Sequence, residues 1–372
     1  MSIKNNNKYN YPVGSFGYYW TVILGKEDIK GKSFVGDISC TDCGLTSLEG
    51  CPKTISGNFN CSLNDLKSLE GCPEKVGGSL DCSNNILESL QGCSETIGKN
   101  FNCSNNKLKS LDGCPTEVVE DFNCSHNDLT SLENCPEVVG GDFDCSGNNL
   151  TSLEYGPKEV GMSYFCSNNK LKSLKGCPEK VGVSFDCSYN NLITLQDGPK
   201  VVVGDYDCSC NNLTSLKGCP KTIGGYFDCS NNKLTSLKYG PEKVGEDYNC
   251  SYNQLNYIKY SPKFINGRFN CSHNNIVTLK DGPEVVNDYH CSYNDINNLE
   301  GCPDIEKYFD FSNNYSLVDV AGVEKIEQFG CDEEFVYCHD NISCLYDKDR
   351  QLEKIFNCFH DIDQQKINGH SI

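Results

Sequence analysis

Arginine is almost missing from this chain. Its 372 residues hold 51 Asp and Glu against 32 Lys and Arg, for a formal net charge of -19. Only Arg268 and Arg350 are arginines. Nucleic acid is therefore not an expected partner, because phosphate recognition needs clustered Lys and Arg. Long apolar runs are missing too, and none approaches the ~20 residues that cross a bilayer. Tyr18-Tyr19-Trp20-Thr21-Val22-Ile23-Leu24 is short, is followed by charge, and reads as a strand of an N-terminal cap. The stretch Met1–Asn7 is polar and lacks a signal-peptide core. The expected location is cytoplasmic, or virion-associated if the source is viral. The six histidines, His126, His273, His290, His339, His360 and His370, have no isolated, unusual serine or cysteine beside them in the repeat frame. Nothing there reads as a nucleophile paired with a base, so an enzyme is not expected.

Cysteine is what the chain has in excess, 27 of them. Cys40, Cys61, Cys82, Cys103, Cys124, Cys145, Cys166, Cys187, Cys208, Cys229, Cys250 and Cys271 recur every 21 residues. The spacing then shortens to 20, through Cys291 and Phe311 to Cys331. A fixed period of this size marks a solenoid, in which each unit buries its apolar face only against its neighbours. Phe59 and Cys61 are two apart and share one side of a short strand. Leu66 and Leu69 follow, and Val76 closes the turn on the far side. An asparagine three after the cysteine recurs from Asn64 to Asn314, placed to bond the backbone of the neighbouring turn. The first unit has Cys43 there.

The stretch Phe59-x-Cys61-x-x-Asn64-x-Leu66 resembles the L-x-L-x-x-N-x-L core of leucine-rich repeats, with an aromatic and a cysteine replacing two leucines. The resemblance is greatest to the short bacterial and phage type, here as a 21-residue, cysteine-rich variant. It implies a parallel β-sheet arc with irregular, extended or 3-10 outer segments, since a 21-residue unit with Pro and Gly turns has no room for a full outer helix. Residues 1–36 are expected as an N-terminal cap and 37–330 as a solenoid of about 14 units. Residues 331–372 are expected as a C-terminal cap, with Leu352, Ile355, Phe356, Phe359 and Ile362 on the apolar stripe of one amphipathic helix. A bacterial effector family joins similar repeats to a large ubiquitin-ligase domain, for which residues 331–372 are too few.

A disulfide framework does not fit these cysteines. Stacked strands would hold them ~4.8 Å apart, beyond the ~3.8 Å mean Cβ separation of a disulfide. A second series, Cys51, Cys72, Cys93, Cys114, Cys135, Cys177 and Cys219, lies in the turn and is replaced without pattern by Gly156, Gly198, Gly240 and Gly282. Both series read as small buried hydrophobes in a reducing compartment. Cys40-x-x-Cys43 has the spacing of one zinc-ligand pair, but its two members occupy the core and ladder positions of one coil, and the set Cys338, His339, Cys344, Cys358 and His360 matches no strong zinc pattern. No metal or cofactor is expected. The sequons Asn60-Cys61-Ser62, Asn102-Cys103-Ser104 and Asn270-Cys271-Ser272 are by-products of the repeat.

The candidate site is the strand face opposite the core. The residue between aromatic and cysteine gives Asp144, Asp186, Asp207 and Asp228, and the residue before the aromatic adds Asp205. Stacked like charges repel, so these columns read as a stability cost without a packing return, which favours a role in binding. Two residues after the cysteine comes a second track with Tyr189, Tyr252, His273 and Tyr293. Phe165 interrupts the Asp/Asn column and Arg268 the acidic one. Tyrosines rimmed by carboxylates suit a basic or polar protein partner. The expected function is a non-enzymatic protein-binding scaffold. A structural or adhesin-type component of a virion or cell surface, and an acidic inhibitor that occludes a basic enzyme, are the alternatives.

Overall fold

The computed structural model describes residues 9–314 and 336–337. It is a parallel β-solenoid, one coil per sequence repeat. Two compact units divide it: Met1–Leu192 with Gln196–Val203, and Ile193–Leu195 with Gly204–Ile372. In the first unit the aromatic positions pair in register, Phe59 with Leu80, Leu80 with Phe101, Phe101 with Phe122, and on through Phe143 and Tyr164 to Phe185. In the second unit Tyr206 pairs with Phe227, Phe227 with Tyr248 and Tyr248 with Phe269. A second ladder of two-residue strands runs on the far side of the coils, as in Thr54–Ile55 against Lys75–Val76 and Thr222–Ile223 against Lys243–Val244. The outer segments are thus extended, as the 21-residue period requires.

The core is made of the periodic residues. Phe59, Cys61, Leu66, Leu69 and Val76 are all buried, and so are their counterparts coil after coil. Burying each of the larger ones stabilises the fold by about 1.5–3 kcal/mol. The asparagine ladder does the polar work between coils. Asn64 donates through Nδ2 to the carbonyls of Cys40, Cys61 and Ser62, while its Oδ1 accepts from the N–H groups of Cys43 and Leu45. The core cysteines add a weaker link. The Cys40 thiol donates to the Asn60 carbonyl at 3.3 Å and the Cys166 thiol to the Asp186 carbonyl at 3.3 Å. A disulfide sulfur has no hydrogen to give, so the coil-to-coil role belongs to the free thiol.

Three expectations change. The segment expected as a cap strand is helical: Phe16–Tyr18 is an α-turn and Tyr19–Ile23 a π-turn, begun by Ser15, whose Oγ accepts from the Tyr18 N–H. Helical spacing puts Phe16 and Trp20 on one side, stacked at 5.5 Å, and Phe16 meets Phe59 edge-on at 6.5 Å. Burying two rings at the end of the core outweighs the strand propensity of the run.

The turn cysteines do follow a rule. Wherever glycine replaces the cysteine, the next core aromatic is tyrosine: Gly156 precedes Tyr164, Gly198 precedes Tyr206, Gly240 precedes Tyr248 and Gly282 precedes Tyr289. Wherever cysteine stays, the next core residue is Phe or Leu. A Cβ on Gly156 would lie 3.2 Å from the Tyr164 hydroxyl, and one on Gly240 would lie 3.4 Å from that of Tyr248. The phenol oxygen takes the space of the absent thiol.

The third change concerns the shortened beat. From Phe264–Asn270 onward the two ladders merge into continuous strands, followed by Val285–His290 and Asp304–Asp310. The first lost residue is at the corner between Val286 and Tyr289, where the pairing with the preceding strand shifts. Past residue 314 only the strand Val336–Tyr337 is described, paired with Phe309 and Asp310. The expected C-terminal capping helix lies outside the described residues.

Candidate interaction face

Each coil leaves its strand through a tight turn that fixes what the exposed face can carry. The column between aromatic and cysteine caps this turn. Asp144 accepts from the Ser146 N–H at 2.9 Å and the Ser146 hydroxyl at 2.6 Å. Asp186, Asp207 and Asp228 accept from the N–H groups of Ser188, Ser209 and Ser230 at 2.8–2.9 Å. The column before the aromatic bonds the next coil instead. Asp121 accepts from the Asp142 N–H, Asp142 from the Ser163 N–H, Asp205 from the Tyr226 N–H and Asp247 from the Arg268 N–H. The expectation that these carboxylates lack a packing return is therefore wrong. Their repulsion is offset by bonds to backbone donors that the turns and corners would otherwise leave open. The signal was in the sequence, as the Asp/Asn-x-Ser spacing that recurs in most coils, with Ser39, Phe165 and His290 as exceptions.

Phe165 sits in register between Asp144 and Asp186, half-buried, and its carbonyl accepts the Cys145 N–H. Arg268 is exposed and stands opposite Asp288 in the strand ladder.

The track two residues after the cysteine has a different character. Every described position in it has a left-handed backbone, including Asn84 at φ 53°, Asn105 at 54° and Asn231 at 53°. Asparagine tolerates this region. Tyr189 at φ 51°, Tyr252 at 52°, His273 at 55° and Tyr293 at 53° occupy it as well. For a bulky residue this costs about 1–2 kcal/mol. Tyr189, in the first unit, is 62% exposed; in the second unit Tyr252 is 52% and Tyr293 49% exposed. The second unit brings three rings together. His273 lies between Tyr252 and Tyr293, with centroids 4.1 and 4.3 Å away and both ring pairs within 10° of parallel. Burial in this stack pushes the His273 imidazole below its ordinary value. The column was legible in the sequence; the stack and its backbone strain were not.

The buried core and turn thiols are poorly suited to chemistry. Burial raises those of Cys61, Cys82, Cys124, Cys166 and Cys250 far above the ordinary thiol range, and those of Cys72 and Cys271 to about 12. A thiol held protonated is a weak nucleophile and a weak metal ligand. Among the described residues no three His, Cys, Asp or Glu side chains converge as a metal site. The Cys338–His360 set lies outside the described residues. No described helix is long and apolar enough to cross a membrane.

No protein-family model and no curated protein sequence matches the chain. Solved structures do. YopM from Yersinia enterocolitica aligns with TM-score 0.54 and 23% identity, over 76% of this chain and 75% of that one. YopM of Yersinia pestis, described as a leucine-rich effector protein, aligns at 0.48 and 21%, over 74% and 88%. The functional domain of InlJ from Listeria monocytogenes, which includes a cysteine ladder, aligns at 0.46 and 19%, over 76% and 66%. At this identity the likeness speaks for the fold. Together with the coil geometry, it makes the solenoid a leucine-rich-repeat fold.

Proposed function

We propose that the chain is a non-enzymatic protein-binding scaffold whose contact surface includes the exposed ring stack of Tyr252, His273 and Tyr293. The observation that carries this reading is the residue choice at left-handed positions. Asparagine satisfies the turn in the neighbouring coils, so the bulky rings bring strain that the fold does not require. Exposed tyrosines are efficient interface anchors, with large area and little entropy to lose. The carboxylates of Asp247 and Asp288 are in the coils that present Tyr252 and Tyr293. A hydrogen bond from a neutral N–H does not cancel a carboxylate's charge, so the field around the stack favours a basic or polar protein.

The test is capture from the native source with the wild-type chain and with a Tyr252→Asn/Tyr293→Asn double variant, followed by mass spectrometry. The variant carries the residue that the repeat itself uses there. It is expected to fold as well as the wild type and to lose the partner. A partner retained at full strength would remove the stack from the interface.

A further inference from the structure

A groove in the second unit lies away from the strand face, where the turn meets the outer ladder. It encloses about 550 Å³, within the range of small-molecule sites, and is lined by Lys221, Tyr239, Lys243, Tyr260, Ser261 and Phe264 together with Glu242 and Lys263. Two observations on it are independent of one another.

The first is its aromatic content. Tyr239 and Tyr260 occupy a turn position with φ 72° and 76°, where Gly218 and Gly301 stand in other coils of this unit. Phe264, on the outer ladder, is 65% exposed. A lysine ammonium lies over each phenol ring, Lys238 at 5.0 Å from Tyr239 and Lys259 at 5.6 Å from Tyr260.

The second is its charge. In a chain of net charge -19, the groove is lined by Lys221, Lys243 and Lys263 with Glu242 as the one carboxylate. Lys221 pairs with Glu242 at 2.8 Å, and Lys263 pairs with Glu284 at 3.4 Å and donates to the Gly282 carbonyl at 3.0 Å. Lys243 is exposed and enters no ion pair among the described residues.

We propose that this groove binds a small aromatic acid, with its flat ring against Tyr239 and Tyr260 and its carboxylate at Lys243. Ring faces recognise ring faces, and the Lys243 ammonium chooses an anion over a neutral analogue. The site is separate from the ring stack of Tyr252, His273 and Tyr293, so the two readings stand or fall apart.

Calorimetric titration of the full chain with naphthalene-2-carboxylate, and with the neutral naphthalene-2-carboxamide, tests it. Saturable single-site binding of the acid is expected, with the amide weaker by about fivefold or more. Tyr260→Gly restores the residue that Gly218 and Gly301 use and so keeps the turn. It and Lys243→Gln are each expected to weaken the acid about fivefold, with the circular dichroism unchanged. Tyr252→Asn is expected to leave the affinity alone. Absence of saturable binding, equal binding of acid and amide, or unchanged affinity in Tyr260→Gly would each overturn the proposal.

Discussion

In the first unit the position before the turn residue reads Glu49, Glu70, Gln91, Asp112, Glu133, Glu154, Lys175 and Gln196; in the second it reads Lys217, Lys238, Lys259, Lys280 and Glu300. The turn position itself is glycine at Gly50, Gly71, Gly92, Gly113 and Gly176 in the first unit, beside Asn134, Tyr155 and Asp197, and reads Gly218, Tyr239, Tyr260, Asp281 and Gly301 in the second. The backbone is the same in both, with positive φ at every one of these turn residues. Coil geometry therefore dictates the conformation, while the side chain that tolerates it remains open to selection. Where the second unit uses tyrosine in place of glycine or asparagine, it accepts about 1–2 kcal/mol of strain per residue. The ring stack and the groove are both in that unit. The first unit also has exposed tyrosines at such positions, Tyr155 and Tyr189, but its left-handed strand-face track is otherwise Asp42, Leu63, Asn84, Asn105, His126, Gly147 and Asn168.

If the comparison is right, the polar ladder should matter equally on both sides of it. Asn85→Ala in the first unit and Asn232→Ala in the second each remove one acceptor and the donors to three carbonyls. Each is expected to cost about 3 kcal/mol in urea denaturation. A large inequality would show that the two units do not share one ladder.

Gly240→Cys probes the thiol-for-hydroxyl exchange. It overpacks the core against Tyr248 and is expected to cost about 2 kcal/mol. Adding Tyr248→Phe frees the space and should recover most of that loss, because the pair Cys219 and Phe227 already uses this combination one coil earlier. No recovery would mean that Leu216 and the Leu237 carbonyl, 2.9 and 3.0 Å from the added Cβ, set the constraint instead.

Tyr239→Gly is expected to stabilise the second unit by about 1 kcal/mol. It relieves the left-handed strain and gives up only a weak lysine–ring contact. A loss of stability would show that the ring is part of the fold and not an addition to it.

The smallest effect is a titration at the end of the second unit. Burial pushes the Asp310 carboxyl up, but hydrogen bonds from His290, Ser312 and Ser292 outweigh it and bring the group from 3.8 to about 2. The ionised form is favoured in the fold, so its stabilisation is present above pH 3.8 and is lost as the pH falls toward 2. Carboxylate carbon shifts followed by NMR should show Asp310 titrating near 2; a midpoint at the ordinary value would break the assignment.

Much of the fold was legible because a solenoid repeats its instructions. One coil identifies the inward Phe59, Cys61, Leu66 and Leu69, and the period assigns every counterpart. The site was less legible. Asp144, Asp186, Asp207 and Asp228 looked unemployed because a hydrogen bond to a turn N–H leaves no trace in composition, only in the spacing to the serine two residues on. Tyr239 and Tyr260 stand where other coils hold glycine, and a turn position reads as connection until its φ is known.

Period, alternation and the asparagine column by themselves determined the coil, its inward face and its reduced cysteine ladder, since each depends only on local geometry repeated along the chain. The tertiary structure decided what is reached across coils. It showed that Gly156 and Gly240 make room for the phenols of Tyr164 and Tyr248. It turned Phe16 and Trp20 into a helical lid on the first coil. It stacked His273 between two tyrosines. Those outcomes depend on distances between residues some 21 apart in sequence and one strand spacing, ~4.8 Å, apart in space. Only the wound chain sets such distances.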